Sequence, residues 1–72
     1  MYYVTKYNSR TVRIHDSKYG AVKNTYCVNH DIENIAIDGD EFFVIGPRVT
    51  TIFRRNSGAG NFSFIRVGTR MN

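Results

Sequence analysis

Aromatic rings and cations interleave at both ends of this 72-residue chain. Tyr2, Tyr3, Lys6, Tyr7, Arg10 and Arg13 lie near the start; Phe53, Arg54, Arg55, Phe62, Phe64 and Arg66 lie near the end. Single-stranded nucleic acids are held by bases stacking on aromatic faces and by phosphates meeting Arg and Lys. Tyr3, Tyr7, Arg13, Arg54, Arg55 and Arg66 are therefore the candidate binding residues. The competing account puts Phe53, Phe62 and Phe64 in the core and leaves the arginines to solvate an outer face. No RNP-like motif sharpens the nucleic-acid reading.

Other reactive side chains have simpler explanations. Cys27 and His30 have a C-x-x-H spacing and His15 adds a third ligand, but these are all the Cys and His residues in the chain. Structural zinc takes four ligands, so a carboxylate would have to complete the set, and packing of Cys27 as a small apolar residue with His30 at a corner is the better account. Asp38, Asp40 and Glu41 lack the twelve-residue spacing and flanking helices of a calcium loop, and an open loop offers no apolar pocket to perturb a carboxylate for catalysis. Gly58-Ala59-Gly60 lacks the Lys and the following helix of a phosphate loop. No glycine elbow positions a serine nucleophile. The sequence thus argues against an enzyme and implies no metal or other cofactor.

Charge is segregated more sharply than the net +4 shows. Residues 1–30 carry Lys6, Arg10, Arg13, Lys18 and Lys23 against Asp16 alone. Residues 31–41 carry Asp31, Glu33, Asp38, Asp40 and Glu41 and no base, while residues 42–72 carry Arg48, Arg54, Arg55, Arg66 and Arg70 and no acid. Such a pattern suits either an anionic ligand or the meeting of acidic and basic edges from separate copies. On the second reading Asp31, Glu33, Asp40 and Glu41 are the candidate oligomer contacts, facing Lys6, Arg13, Arg54 and Arg66 of a neighbour.

These residues must be positioned by strands. β-Branched and aromatic residues crowd short runs, and no useful stretch carries apolar residues at helical spacing. Strands are expected over Tyr2 to Tyr7, Thr11 to His15, Val22 to Val28, Ile32 to Ile37, Phe42 to Ile45, Val49 to Arg55 and Asn61 to Val67. Gly20 suits a positive φ, and Asp38-Gly39 suits the centre of a type I′ hairpin turn. Phe42 to Ile45, apolar at every position, is expected to be covered on both faces. The fold class is all-β: a single antiparallel domain of six or seven strands, propeller-blade-like or a small barrel. So short a chain has a small core and no possible internal disulfide, since Cys27 is its one cysteine, and partner chains commonly compensate.

Val4-Thr5 leading to Asn8-Ser9 is echoed by Val49-Thr50 leading to Asn56-Ser57, at a step within the period of propeller blades. Thr11-Val12-Arg13-Ile14-His15-Asp16 resembles the end of a WD40-type repeat, with His15 where that family's Trp usually stands. Lys18-Tyr19-Gly20 resembles the turn that follows, and Asn29-His30 falls near the family's Gly-His. The resemblance implies a half blade plus one full blade, acting as a protein-binding scaffold. The expected function is a non-catalytic interaction or self-assembly module, with a second copy or another protein as partner. Nucleic-acid or nucleotide binding is the alternative, and inhibition of a larger host enzyme a third. The first ten residues lack the apolar core of a signal peptide and no run is long enough to span a bilayer, so a soluble, cytoplasmic protein without membrane contact is expected.

Overall fold

The computed structural model describes residues 1–72 and contains seven strands. β1 (Tyr3–Asn8), β2 (Thr11–His15) and β3 (Val22–Cys27) form one antiparallel meander; β4 (Asn34–Asp38), β5 (Glu41–Ile45), β6 (Val49–Arg55) and β7 (Phe64–Met71) form another. The only helical segment is a single 3-10 turn, Ser57–Ala59, between β6 and β7. No helix is long and apolar enough to cross a membrane.

Alternation along the strands sets the core. In β2 the side chains of Val12 and Ile14 are wholly buried, and in β5 those of Phe42 and Val44. Tyr2, Val28, Ile32, Phe53 and Phe64 complete one cluster, so the two sheets face each other across a single apolar layer. The shortest dimension, 17 Å, accords with two sheets about 10 Å apart with their outward side chains. Three phenylalanines organise the four-stranded side: Phe42 stacks on Phe53 at 4.8 Å and meets Phe64 edge-on at 5.0 Å.

The sheets do not close into the small barrel that the sequence also admits, because no ladder joins them and β1, β3, β4 and β7 all remain edges. The chain divides into three strands and four, where the family resemblance implies a half blade and a full one. Phe42 to Ile45 is covered on one face only: Phe43 and Ile45 point the other way and stay partly exposed.

The turns also differ in detail from expectation. Asp38 pairs with Glu41, so the central residues are Gly39 and Asp40. Only Gly39 takes a positive φ, +62°, as a type II′ turn requires. Gly20 is not at positive φ; a Cβ there would displace the Asp16 carboxylate and the Ser17 hydroxyl. The last strand starts at Phe64 and runs on to Met71, because Thr69, Arg70 and Met71 pair in register with Thr51, Thr50 and Val49 despite weak strand character. A bulge at Val67 lies within it, opposite the step from Ile52 to Phe53.

Residues 28–33 carry the chain from one sheet to the other. The Val28 amide donates to the Arg10 carbonyl, that of Ile32 to Ser9, and that of Glu33 to Ile45, so the crossing is bonded to both sheets. Buried His30 sits at its centre. Nδ1 lies 2.8 Å from the Asp31 carbonyl, which can only accept, so Nδ1 carries the proton; Nε2 lies 2.7 Å from the Thr51 hydroxyl. Gly46 makes room for this ring, since a Cβ there would stand 2.5 Å from Nδ1 and 2.7 Å from the Asp31 carbonyl.

Candidate functional site

The basic-aromatic residues do not form one surface. Tyr3, Thr5, Arg13, His15 and Thr25 share the outward face of the three-stranded sheet, as the pairings Tyr3 with His15 and Thr5 with Arg13 and then Thr25 require. Tyr7 is the extra residue of a bulge between Lys6 and Asn8, and its ring lies 3.6 Å beneath the Arg13 guanidinium carbon. Bulges re-aim side chains in this way. The Arg13 Nε is buried by this stacking and has no acceptor.

Arg54 and Arg55 are engaged elsewhere. Arg54 donates twice to one Glu41 carboxylate oxygen, at 2.7 and 3.0 Å. Arg55 donates to Asp40 at 2.9 Å and to the Asn61 carbonyl, and lies over the rings of Tyr2 and Phe64 at 4.9 and 5.6 Å. Only 19% of its side chain is exposed, so it closes the end of the core. Arg66 is exposed on β7. Of the six expected binding residues, the fold thus unites Tyr3, Tyr7 and Arg13 and separates the other three from them.

Two tyrosines span the sheets, one at each side of the sandwich. The Tyr2 hydroxyl donates to the carbonyls of Gly39 and Glu41 at 2.9 and 3.1 Å. Burial raises its pKa above the usual 10.0, with the Arg55 charge opposing and the Asp40, Asp38 and Glu41 charges reinforcing. On the other side the Tyr26 hydroxyl accepts from the Phe64 amide at 2.8 Å and from Asn24 Nδ2 at 2.9 Å, and the same Asn24 amide donates to the Phe62 carbonyl. Sequence reasoning grouped Tyr2 with the surface cations and overlooked Tyr26.

Cys27 and His30 point apart. Cys27 is exposed, with its sulfur 3.7 Å from the Thr11 hydroxyl, while His30 is buried with both nitrogens occupied. His15 is on the outward face, with Nε2 2.8 Å from the Thr5 hydroxyl and Nδ1 3.2 Å from the Gly20 carbonyl.

The acidic residues expected to face a neighbour are largely paired at home. Asp31 meets Arg10 at 3.1 Å, Glu41 meets Arg54, Asp40 meets Arg55, and Asp16 meets Lys23 at 3.7 Å. Glu33 and Asp38, the remaining acids, have no ion-pair partner within the chain and flank the exposed edge strand β4. At the opposite end of the same sheet β7 carries Arg66 and Arg70, also without acidic partners; Arg70 lies over the Phe43 ring at 5.7 Å. Ile37 on β4 and Ile65, Val67 and Met71 on β7 are half of the large apolar side chains left exposed. Both unpaired acids thus lie on or beside one edge of this sheet and Arg66 and Arg70 on the other, while Lys6, Arg13, Lys18 and Arg48 are cations without an ion pair elsewhere in the chain. No protein-family model matches the chain, and comparison with curated proteins and with solved structures found no match.

Proposed function

We propose that this protein is a non-catalytic interaction and assembly module that works through the open edges of its four-stranded sheet. The observation that carries this reading is that β4 and β7 each hydrogen-bond on one side only, both being exposed edges of the sheet. A strand edge presents a row of unpaired N–H and C=O groups, which template pairing with another strand. β7 is held ready for this: beyond its end, Asn72 Nδ2 donates to the Gly46 carbonyl at 2.7 Å and the Asn72 amide to the Arg48 carbonyl at 3.0 Å. A strand already ordered loses less entropy on pairing. The propeller-blade reading of the β4–β7 meander belongs to this proposal, because a blade is itself a four-stranded meander that needs neighbours.

Light scattering across protein concentration, at low and high salt and with absorbance at 260 nm followed, tests the proposal. A mass above the monomer's that grows with concentration is expected. A monomer at every concentration overturns it. A second reading, binding of a single-stranded nucleic acid, rests on Tyr3, Tyr7 and Arg13 sharing an outward face; it requires nucleic acid that co-purifies at low salt and is lost at high salt.

A further inference from the structure

We infer that the occupant of the β7 edge is β4 of a second copy of this chain, paired antiparallel and repeated head to tail. This deepens the assembly reading above and rests on it. Charges left over once the chain has paired its own acids supply the first constraint. Four of the six acids are consumed within the molecule, and those that remain, Glu33 and Asp38, flank β4; Arg66 and Arg70 stand on β7 without acidic partners. Pairing β7 with β7 would set Arg66 and Arg70 among like charges, and pairing β4 with β4 would do the same for Glu33 and Asp38. Like charges directly across a ladder destabilise it, while opposite charges stabilise it. Of the pairings between these two edges, β7 against β4 is the one that sets opposite charges on facing strands.

Strand direction and pleat narrow the geometry. Neighbouring strands alternate in direction through the meander, so a further copy added in the same sense places β4 antiparallel to β7. Residues 34, 36 and 38 share the outer face with Phe43, and so do Gly68 and Arg70, whereas Ile35 and Ile37 share the core-side face with Thr69 and Met71. Keeping outer face with outer face, the register that opposes Thr69 to Ile37 and Met71 to Ile35 covers Ile37 and Met71, which are 45% and 76% exposed in the monomer. In the same register Arg70 is diagonal to Asp38, within reach of a long side chain. Each copy keeps one free β7 and one free β4, so the contact is heterologous and propagates as a ring or an open filament.

Cysteine pairing tests this directly. In a Cys27→Ser background, Thr69→Cys and Ile37→Cys are made in separate chains and together in one chain, then exposed to an added oxidant. The two single variants mixed are expected to give a disulfide-linked dimer, each alone to stay uncrosslinked, and the double variant to give a ladder of dimers, trimers and higher species. A Thr69→Cys dimer formed alone, or an oligomer by light scattering that crosslinks in neither arrangement, overturns this pairing and leaves assembly standing. A monomeric mass for the unmodified chain overturns both. The charge exchange keeps the test independent of cysteine geometry: Arg70→Asp and Asp38→Arg each lower the apparent association constant about fivefold or more, and combining them restores it. Restoration failing, with both variants folded by circular dichroism, also overturns the pairing.

Discussion

On the three-stranded sheet the outward row reads Tyr3, Thr5, Arg13, His15 and Thr25, whereas the four-stranded sheet turns out Ala36, Phe43, Ile45 and Ile52. Side chains of the first engage one another: Tyr7 stacks under Arg13, and His15 bridges Thr5 and the Gly20 carbonyl. The second turns its apolar side chains out among Asn34, Asp38, Glu41, Arg54 and Arg70, on the face away from the core. Its edges differ too, for Glu33 and Asp38, the unpaired acids, lie beside or in β4, and Arg66 and Arg70, two of the cations without an ion pair, lie in β7. Two sheets that share one core thus differ in what they turn outward, polar side chains on one and partly exposed apolar ones on the other, and the assembly proposed above rests on the second.

The comparison breaks most readily at Phe42, which has no exposed surface and touches the rings of Tyr2, Phe53 and Phe64. Phe42→Ala is expected to cost about 3–5 kcal/mol in urea unfolding, a large share of the roughly 4–11 kcal/mol available to a chain of this length. Phe43→Ala, one residue on and on the outer face, should cost about 1 kcal/mol, because that side chain is only partly covered. Equal losses at the two positions would mean that the outer face is covered in the unfolding experiment, and a mass measurement at the same concentration would show by what.

A second test separates neighbouring arginines of β6. Arg55 lies on the core-side face with Phe53, packed over two rings and bonded to Asp40, while Arg54 sits outside in an exposed pair with Glu41. Arg55→Ala should cost about 1.5–3 kcal/mol, and Arg54→Ala about 0.2–1 kcal/mol. Both are read from denaturant midpoints at unchanged slope.

Strands β2 and β6 were legible to the residue in the sequence, since Thr11 to His15 alternates between polar and apolar and Val49 to Arg55 is a β-branched and aromatic run between Gly46-Pro47 and Asn56-Ser57. The far end of β7 was not, because Gly68 to Met71 carry little strand preference and are held by their register with β6. The site was legible in part. Segregated charge pointed to acidic and basic edges, but Asp38, though counted in the acidic segment, was explained by its turn and left out of the expected contacts, and Asp31, Asp40 and Glu41 were assigned outward because pairing at home depends on which strands become neighbours. A cue for Arg55 was present: it shares strand parity with Phe53, so whichever face buries that ring also receives the guanidinium. Tyr2 left no such cue, for its burial comes from a hairpin nearly forty residues away.

Tyr2 gives a small effect and the sharpest account of how the two sheets are joined. It precedes β1, yet its hydroxyl bonds to the turn between β4 and β5. Tyr2→Phe removes that hydrogen bond and should lower stability by about 0.5–1.5 kcal/mol near neutral pH. Burial, the leading cause, raises the hydroxyl's pKa in the folded state above its ordinary 10.0. Above pH 10 the unfolded chain therefore loses this proton first, the folded state holds more protons, and stability falls as pH rises. The contribution is complete below the unfolded value and is lost as pH climbs through the raised one. Unfolding the native chain and Tyr2→Phe in parallel from pH 7 to 11 isolates it from the lysines and other tyrosines. Their difference should stay constant to about pH 9 and then shrink as the phenol ionises. A difference near zero at every pH would mean that the ring alone, packed against Phe42 and Phe64, joins the sheets and that the hydroxyl contributes nothing, and a constant difference above zero would mean that the hydroxyl's pKa is the same in both states.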